Sequence, residues 1–313
     1  MSSDCLSCLV TGANGFVGQA LVVSLRRRGI HVAAAVRGGH VEGAISSPNL
    51  APNADWRRLL VGRQLVVHSA ARVHVMREKS TYPLAVFREV NVAGTLTLAE
   101  QAASAGVRRF VFISSIKVNG EATFSGRPFR ADDPPAPVDP YGVSKREAEC
   151  GLFEISRRTG MEVVVVRSPL VYGAGVKGNF RVLTNCLRRG FPLPLGCVVA
   201  NRRSFVSLEN LVDLLCSVCV HPAAAGQIFL VSDGEDLSTA DLLRRLASAM
   251  GRKANLLPVP LYLLRAAGLL GFRAEISRLT DNLQADISKT QELLGWVPVI
   301  SVEDGLRRVV AEV

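Results

Sequence analysis

Short apolar runs alternate with amphipathic stretches of helical periodicity through the first half of the chain. Apolar runs rich in Val, Ile and Phe are typical of buried strands, and we predict such strands at residues 6–10, 31–36, 65–68, 110–114 and 161–167. Helices are predicted between them, from the glycine-rich residues 12–18 to Arg28, near Trp56, over 83–105 and from about Tyr141. Regular alternation of strand and helix favours a parallel sheet covered by helices on both faces.

The pattern loses regularity after residue 170. Glycine- and proline-rich stretches at 173–178 and 190–196 separate the remaining signals, which are helices over 208–220, 238–250 and 301–312 and a strand at 227–231. We therefore expect residues 1–170 to form most of the main domain and residues 171–313 to form mainly a smaller lobe. The strand at 227–231 is expected to rejoin the main sheet.

Composition restricts the class of protein. The chain has 313 residues, of which 48% are hydrophobic and 20% charged, as in ordinary globular proteins of one large or two modest domains. Lysine and arginine number 37 against 27 acidic residues, and the net charge of +10 favours an anionic partner. The basic residues occur mostly in scattered pairs without a nucleic-acid-binding signature, so we do not expect nucleic acid to be that partner.

The seven cysteines indicate a reducing compartment. An odd number in a long chain argues against a secreted disulfide framework, and the N-terminus lacks an apolar signal core. Cys5 and Cys8 fall in a predicted strand and Cys216 and Cys219 in a predicted helix, whereas zinc ribbons hold such pairs on tight loops. We therefore expect buried thiols, no metal site and a cytoplasmic location.

The longest apolar run covers residues 256–272. Pro258, Pro260 and Arg265 interrupt it, and it is shorter than the roughly 20 residues that a membrane-spanning helix needs. We expect a buried or interface helix here and no insertion into a membrane.

A glycine string with the spacing GxxGxxG joins the first predicted strand to the first helix. It reads TGANGFVG at residues 11–18, and such glycines let the backbone approach a pyrophosphate while the helix N-terminus supplies free N–H groups. The segment therefore predicts a dinucleotide site. At the end of the second predicted strand, where an acid would bind the ribose of NAD, the chain has Arg37, which suits the 2′-phosphate of NADP. NADP(H) is favoured, and NAD(H) stays open.

Tyr141 and Lys145 lie four residues apart, which places both on one face of a predicted helix. An ammonium beside a phenol is expected to lower the pKa of the tyrosine and to make it usable as an acid or base near neutral pH. Ser114 and Ser115 end the strand that precedes this helix, so a serine hydroxyl is available to share the substrate oxygen. The pattern predicts a catalytic Ser/Tyr/Lys set.

Together these segments resemble the extended short-chain dehydrogenase/reductase family, in its nucleotide-sugar epimerase, reductase and dehydratase branch. The matching stretches, which span essentially the whole chain, are TGANGFVG at 11–18, VVHSAARVHV at 66–75, NVAGT at 91–95, FISSIKVNG at 112–120, PYGVSK at 140–145, RSPLVYG at 167–173, NRRSF at 201–205 and ADISKTQELLGW at 285–296. The resemblance implies an α/β fold with a Rossmann-type, doubly wound parallel sheet that binds the dinucleotide. It also implies a smaller C-terminal lobe that binds a UDP-sugar, and a homodimer formed through the helices at about 83–105 and 141–158.

The resemblance further implies a role for each matching residue. Tyr141 would be the acid/base, Lys145 the holder of the nicotinamide ribose and Ser115 the hydroxyl that polarises the sugar oxygen. The cofactor-contacting residues would be Gly12, Asn14, Gly15, Phe16, Val17, Gly18, Arg37, Ala70, Ala71, Lys145 and Pro169. The residues that meet the substrate would be Ser115 at the sugar and Asn179, Arg203 and Arg278 at the diphosphate.

Two departures from the family pattern favour one activity. Dehydratases of this branch carry an Asp-Glu pair where this chain has Ile116-Lys117, so dehydration is not expected. Epimerases usually retain NAD through an acid at the place of Arg37, so exchange of NADPH fits better. We expect C4 reduction of a UDP-4-keto-6-deoxy-N-acetylhexosamine to UDP-N-acetylquinovosamine for surface polysaccharide synthesis. The alternative is C4 epimerisation of UDP-glucose or UDP-N-acetylglucosamine, and a more remote one is a non-catalytic NADP sensor.

Overall fold

The structure is a computed structural model that describes residues 6–38, 43–73, 83–176 and 178–311, without the side chains of Asn179 and Leu270. Its strands are β1 (Ser7–Thr11), β2 (His31–Val36), β3 (Ala44–Ser46), β4 (Leu65–His68), β5 (Arg109–Ser115), β6 (Glu162–Ser168), β7 (Leu170–Tyr172), β8 (Arg203–Ser207), β9 (Ile228–Leu230) and β10 (Asp236–Leu237). Its α-helices are α1 (Phe16–Arg27), α2 (Arg57–Leu60), α3 (Pro83–Phe87), α4 (Thr95–Ser104), α5 (Pro140–Thr159), α6 (Asn179–Arg188), α7 (Leu208–Val220), α8 (Thr239–Ala249), α9 (Leu261–Ala267), α10 (Arg273–Thr280), α11 (Ser288–Leu294) and α12 (Val302–Ala311). The π-helical segments Arg88–Gly94 and Gly268–Phe272 join α3 to α4 and α9 to α10.

Seven strands form a parallel sheet in the order β3-β2-β1-β4-β5-β6-β9. The strands β1 and β4 are buried along their whole length, as expected for strands that helices cover on both faces. Leu21 of α1 and Leu211 of α7 pack on one face of the sheet, and Leu98 of α4 and Leu152 of α5 pack on the other. The predicted α/β fold with a doubly wound, Rossmann-type sheet is confirmed.

The chain reverses its direction of travel across the sheet between β1 and β4. From β1 it proceeds outward to β2 and β3, and it then crosses to the other side to form β4, β5 and β6. The carboxyl ends lie in register, since Thr11 pairs with His68 and Ser115 with Ser168. Ligands of such sheets bind in the crevice at this reversal point, so the segments that follow these strands are the place to look for a site.

A small mixed sheet follows β6. In it β8 pairs in parallel with β7 and antiparallel with β10. Tyr172, Phe205 and Leu237 of these strands pack with α6, α8 and α12 in a separate apolar cluster. Between β8 and β10 the chain returns to the main sheet, where β9 pairs in parallel with β6. The chain after residue 170 therefore contributes to both sheets.

The sequence pattern did not predict β3, β7, β8, β10, α6, α10 and α11. The strands β3, β7 and β10 have only two or three residues, which is too short for a periodic signal. The helix α6 lies between two glycine- and proline-rich stretches, and its inward positions Phe180, Thr184 and Leu187 are spaced as in a helix but span only two turns.

The apolar run at 256–272 is buried only in part. Leu264 packs inward, but four large apolar side chains of α9 and the adjoining π-helical segment are exposed: Tyr262, Leu263, Leu269 and Phe272. Burial, the first of the two expectations for this run, is therefore wrong for its outer face. No helix in the described part of the chain has both the length and the apolar character needed to cross a bilayer.

Candidate active site

The glycine turn lies at the carboxyl end of β1 and leads directly into α1. Gly12 has a φ of 66°, and a Cβ at this position would lie 2.8 Å from the backbone nitrogen of Ala70. A Cβ on Gly18 would lie 2.1 Å from the carbonyl oxygen of Gly12, so both positions require glycine. Gly15 is exposed and precedes α1 without a capping side chain. The first N–H groups of α1 are therefore open to an anion.

The remaining residues of the turn border a segment from the other half of the chain. Asn14 is exposed, and Phe16 and Val17 are half-buried at the start of α1. A Cβ on Gly173 would lie 3.6 Å from the tip of the Phe16 ring. The turn therefore adjoins the loop that follows β7.

A buried histidine ties the end of β4 to the glycine turn. The Nδ1 atom of His68 lies 2.7 Å from Oγ1 of Thr11, and its Nε2 atom lies 3.0 Å from Oγ1 of Thr95. Burial lowers the pKa of His68 to about 3, with the charge of Lys145 as the second cause. The ring is therefore neutral near pH 7 and serves to position the ends of β1 and β4.

Ala70 and Ala71 lie half-buried just beyond β4. Asn91, in the π-helical segment before α4, holds the next residue. Its side chain accepts the N–H of Arg72 at 2.8 Å and donates to the Arg72 carbonyl at 3.0 Å. The same amide nitrogen donates to Oγ of Ser144 in α5 at 3.1 Å. Asn91 therefore fastens the edge beyond β4 to α5.

Two further predicted cofactor contacts lie at the carboxyl edge of the sheet. Pro169 is buried and follows β6 beside β5, since the preceding Ser168 pairs with Ser115. Arg37 is exposed and follows β2, the neighbour of β1. Pro169 and Arg37 therefore lie on opposite sides of the glycine turn along the sheet.

Tyr141 and Lys145 lie near the start of α5, a helix of 20 residues. Asp139 caps this helix through its Oδ1, which accepts the N–H of Gly142 at 2.6 Å, and Pro140 occupies the first helical position. The Nζ atom of Lys145 lies 6.0 Å from the centroid of the Tyr141 ring. The structure therefore brings phenol and ammonium together on one face of α5.

Lys145 is buried against the end of β5. Its Nζ donates to the carbonyl oxygen of Ile113 at 2.8 Å and lies 4.3 Å from the centroid of the Phe112 ring. Burial lowers the pKa of Lys145 to about 7, and the charge of Glu149 acts in the opposite direction. The Lys145 ammonium is therefore held in a fixed place. Because its pKa is about 7, it exchanges its proton near neutral pH.

The pKa of Tyr141 departs from the expectation. We expected the neighbouring ammonium to lower it, but burial raises the pKa of Tyr141 well above its ordinary value, and the charge of Asp139 adds to this effect. The ammonium of Lys145 is directed to the Ile113 carbonyl and not to the phenol oxygen. The phenol is therefore protonated and able to donate in this arrangement.

The two serines at the end of β5 have different surroundings. Ser114 is buried and donates to Oε1 of Glu149 at 2.6 Å. Ser115 is half-buried, and its Oγ accepts the N–H of Lys117 at 3.3 Å. Because that bond uses only its acceptor capacity, the O–H of Ser115 can still donate to a ligand.

Lys117 joins the end of β5 to the start of α5, a link that the sequence analysis missed. Its carbonyl oxygen is so close to α5 that a Cβ on Gly142 would lie 2.8 Å from it. Its ammonium forms ion pairs with Asp139 and, at 3.2 Å, with Glu121. The glycine within the motif YGVSK was the available signal of this close approach. Gly142 and the Lys117–Asp139 ion pair hold the first turn of α5 in place.

A buried ion pair one turn beyond Lys145 fastens α5 to β6, and the sequence analysis missed it as well. The Nη2 and Nε atoms of Arg167 donate to the two carboxylate oxygens of Glu149 at 2.7 and 3.0 Å. Arg167 also donates to Oδ1 of Asn119 at 3.1 Å. The signals were a charge at the end of an apolar strand and an acid four residues after Lys145 on the same helical face.

Arg203 and Arg278 belong to the C-terminal side, at the start of β8 and in α10. Arg203 begins β8 and donates to the carbonyl oxygen of Asp281 at 2.9 Å. Burial lowers the pKa of Arg203 to about 10; the charges of Asp281 and Glu121 oppose this shift, and that of Arg278 adds to it. Glu121 is also the ion-pair partner of Lys117 at the end of β5, so its charge acts on both Lys117 and Arg203.

Asn179 begins α6, but its side chain lies outside the described part of the structure. A cavity of about 300 Å³ lies between α6 and the loop that follows β7. Residues of both elements line it, among them Gly173, Val176, Arg181 and Asn185. Its lining includes none of Ser115, Tyr141 and Lys145, so the cavity and the catalytic candidates are separate features.

Three of the cysteines are buried thiols. Cys8, Cys216 and Cys219 are buried together between β1 and α7, and burial raises the pKa of each thiol. Cys5 lies outside the described residues. Within the described ranges, the cysteines are free and no group of three or more His, Cys, Asp and Glu side chains is arranged to hold a metal ion.

Comparison with known proteins gives concordant matches. A family model described as the NAD dependent epimerase/dehydratase family matches residues 8–232. The chain is 46% identical over 311 residues to a UDP-glucose 4-epimerase of Vibrio cholerae, with 96% of this chain and 94% of that protein covered.

Solved structures match over nearly the whole chain. MoeE5 in complex with UDP-glucose and NAD is 25% identical with a TM-score of 0.77, and 98% of each chain is covered. A UDP-glucose 4-epimerase of Thermotoga maritima, solved with UDP-glucose, is 23% identical with a TM-score of 0.76 and the same coverage. The second likeness bears on the fold alone.

Proposed function

Because the chain belongs to the NAD dependent epimerase/dehydratase family, we propose that it is a UDP-hexose 4-epimerase, which inverts the configuration of a UDP-linked hexose at C4. One observation carries the proposal. Tyr141 and the buried Lys145 share one face of α5, and Lys145 bonds to the carbonyl of Ile113 in the strand that ends at Ser115, in a chain that is 46% identical to a UDP-glucose 4-epimerase.

The family resemblance drawn from the motifs is confirmed, and the protein is an NAD-dependent enzyme of the extended short-chain dehydrogenase/reductase family. Sequence reasoning placed C4 reduction first and C4 epimerisation second. The relative at 46% identity supports the second of these activities, and the proposal follows it.

The glycine turn suits a dinucleotide. The close backbone approach at Gly12, the exposed Gly15 and the uncapped N–H groups of α1 leave room and donors for a pyrophosphate, while Ala70 and Ala71 present small side chains beside it. NAD bound here would supply the acceptor and then the donor of the C4 hydride, so that removal from one face of the sugar and return to the other would invert C4 with no net use of cofactor. Lys145 would hold the nicotinamide ribose, and Pro169 would lie near the nicotinamide.

Tyr141 would carry the proton between its phenol oxygen and the C4 oxygen of the sugar. Its raised pKa keeps it protonated, which suits donation to a developing alkoxide. To accept the proton in the opposite step, the phenol needs a nearby positive charge, and the ammonium of Lys145, 6.0 Å from the ring centroid, is placed to supply it. Ser115 would donate its free O–H to the same sugar oxygen and share its developing charge.

The diphosphate of the substrate would lie against Arg203 and Arg278, and the family resemblance adds Asn179, at the start of α6, as a third contact. Guanidinium groups match phosphate geometry, and the pKa of Arg203, about 10, leaves it charged at neutral pH. We do not propose dehydration, because Lys117 stands where a dehydratase has an acid and its ammonium is already paired with Asp139 and Glu121.

A C4 reductase is the second candidate, and Arg37 is the observation that favours it. Arg37 is an exposed cation just beyond β2, where it can meet the 2′-phosphate of NADP. Such an enzyme would reduce a UDP-4-keto-6-deoxy-N-acetylhexosamine and consume one NADPH for each sugar. The two candidates therefore differ in cofactor turnover. A homodimer through α4 and α5 and a cytoplasmic location complete the proposal.

The test supplies purified protein, without added cofactor, with UDP-glucose and separately with UDP-N-acetylglucosamine, and resolves the products by NMR. We expect conversion to an equilibrium mixture with the C4 epimer. Failure to convert either sugar, together with stoichiometric oxidation of added NADPH by UDP-4-keto-6-deoxy-N-acetylglucosamine, would overturn the proposal in favour of the reductase. The Tyr141→Phe variant is the matched control, since either activity must disappear in it while cofactor binding stays.

A further inference from the structure

The segment from α9 to α10 has an apolar outer face. Leu264 and Ile276 of this segment pack inward against the small lobe. On the outside, Tyr262, Leu263, Leu269 and Phe272 are 71%, 49%, 77% and 62% exposed. We refer to these four side chains, with Arg265 and Arg273, as the α9–α10 outer face.

The exposed apolar residues form a patch along this segment and are not scattered singly. Tyr262 and Leu269 are seven residues apart, about two turns along one face. Leu263 adjoins Tyr262 in the chain, and Phe272 follows Gly271, whose φ of 103° interrupts the helix, so the four side chains make a broad patch within eleven residues. Isolated apolar residues on a surface need no explanation, but a contiguous exposed patch indicates a surface that meets something apolar.

Cations interrupt the patch. Arg265 is 62% exposed, and its weak ion pair with Asp281 spans 3.7 Å. Arg273 is exposed as well. The cations of this face are Arg265 and Arg273, the acids near it are Glu275 and Asp281, and the whole chain carries a net charge of +10. An apolar patch edged by arginine complements a surface that is apolar beneath an anionic layer.

We propose that the α9–α10 outer face binds the surface of a bilayer that contains anionic phospholipids. Tyr, Phe and Leu side chains would enter the boundary between headgroups and acyl chains, and the long arginine side chains would reach the phosphates. The helix would lie in the plane of the membrane and would not cross it. The proposal is independent of which UDP-sugar the enzyme converts.

A second copy of the chain is the competing occupant, and the extent of the face argues against it. A stable protein interface takes about 20–30 residues from each partner, with a core depleted of charge. The α9–α10 outer face is one apolar patch with arginines on it. A membrane surface requires only a patch of this size.

The test is flotation of the full-length protein with vesicles of phosphatidylcholine alone and of phosphatidylcholine mixed with phosphatidylglycerol. Three variants accompany it. The Leu269→Gln/Phe272→Gln variant removes apolar contact, and the Arg265→Gln/Arg273→Gln variant removes charge. Val61→Gln changes a side chain that is 74% exposed outside the face and serves as the matched control. Thermal unfolding followed by circular dichroism establishes that each variant is folded.

We expect flotation with the anionic vesicles only, weakened by high salt because the attraction is screened. Each double variant should lose binding by about tenfold or more, and Val61→Gln should bind as the parent does. Absence of flotation with anionic vesicles at low salt would overturn the proposal, as would unchanged flotation of the Leu269→Gln/Phe272→Gln variant. A fall in oligomer mass in that variant, measured by light scattering, would assign the face to a second copy instead.

Discussion

The carboxyl edge of the main sheet and the C-terminal side of the site are held together in different ways. Around Tyr141, buried polar groups fix α5 from several directions: the Glu149–Arg167 ion pair, the Asn91 amide and the Lys145–Ile113 hydrogen bond. Around Arg203 and Arg278, the structure relies on backbone contacts with the segment near Asp281 and on half-exposed charges.

This difference separates the chemistry from the recognition of the substrate. Proton transfer needs groups held within a fraction of an ångström, and the buried network around α5 provides that rigidity. The diphosphate can be met by long arginine side chains on less constrained elements, where substitutions alter affinity without disturbing the core. Variants of the two regions should therefore differ in which quantity they change.

The largest effect is expected from Tyr141→Phe. Removing the phenol oxygen deletes the proton donor and acceptor while the ring keeps its packing, so kcat should fall by about 10²- to 10⁴-fold. Steady-state epimerisation rates of the parent and the variant measure the fall in kcat. The cofactor released from each protein on denaturation serves as the control that the variant still binds it. Retention of more than a tenth of the activity would refute the assigned role.

Next in size is the loss of stability in Arg167→Met. Removing one partner leaves the Glu149 carboxylate buried without its ion pair, which costs about 3–5 kcal/mol of unfolding free energy. Urea unfolding measures this cost. The comparison variant is Arg203→Met, whose arginine is half-buried and bonded to a backbone carbonyl, and it should lose much less. If the two variants lost equal unfolding free energy, the network around α5 would not be more rigidly held than the C-terminal side of the site.

The third expectation concerns Arg203→Ala and Arg278→Ala. Loss of a charge-assisted hydrogen bond to phosphate weakens the binding of the UDP-sugar by about 1.5–3 kcal/mol. KM for the UDP-sugar should therefore rise about 10- to 100-fold, while kcat changes little. Inhibition by UDP should weaken in parallel. A fall in kcat at unchanged KM would place these arginines with the catalytic groups.

The pH dependence of stability isolates Lys145. Its pKa is about 7 in the folded protein against an ordinary value of 10.5, so between these values only the unfolded chain holds the proton. The unfolding free energy of the parent should therefore rise with pH across this window relative to Lys145→Met, by at most about 1.4 kcal/mol per pH unit. Urea unfolding of both proteins from pH 6 to 10 tests this. If the unfolding free energies of the parent and of Lys145→Met changed equally with pH, the lowered pKa of Lys145 would be contradicted.

The smallest effect is expected from Lys117→Met. Its ammonium holds Asp139 at the start of α5, and the pair is partly open to solvent, so we expect a several-fold loss of kcat with KM nearly unchanged. Lys117→Arg should restore most of the activity, because the guanidinium can still reach the carboxylate. Equal losses in both variants would show that the ion pair does not position Tyr141.

The sequence predicted what is encoded locally. The glycine turn at 11–18 and the pair Tyr141 and Lys145 depend on spacing within one strand–helix junction or one helix, and the structure places them as expected. Lys117 and Glu121 are four residues apart, but Arg203, whose pKa the charge of Glu121 raises, is distant in the sequence, so no local pattern could indicate that link.

Two expectations failed because tertiary contacts override local ones. The nearness of Lys145 suggested a lowered pKa for Tyr141, but the ammonium bonds to the carbonyl of Ile113 and burial dominates the phenol. The apolar run at 256–272 suggested a buried or interface helix, and the first alternative fails for its outer side chains, since periodicity cannot tell which face of an apolar helix finds a partner.

The central claim, inversion at C4 without net consumption of cofactor, is tested most directly with UDP-glucose deuterated at C4. The protein is incubated with this sugar in ordinary water and without added cofactor, and the product is examined by NMR and mass spectrometry. The account predicts UDP-galactose that retains the deuterium at C4. Loss of the deuterium to solvent, or turnover only when NADPH and a 4-keto sugar are supplied, would contradict it.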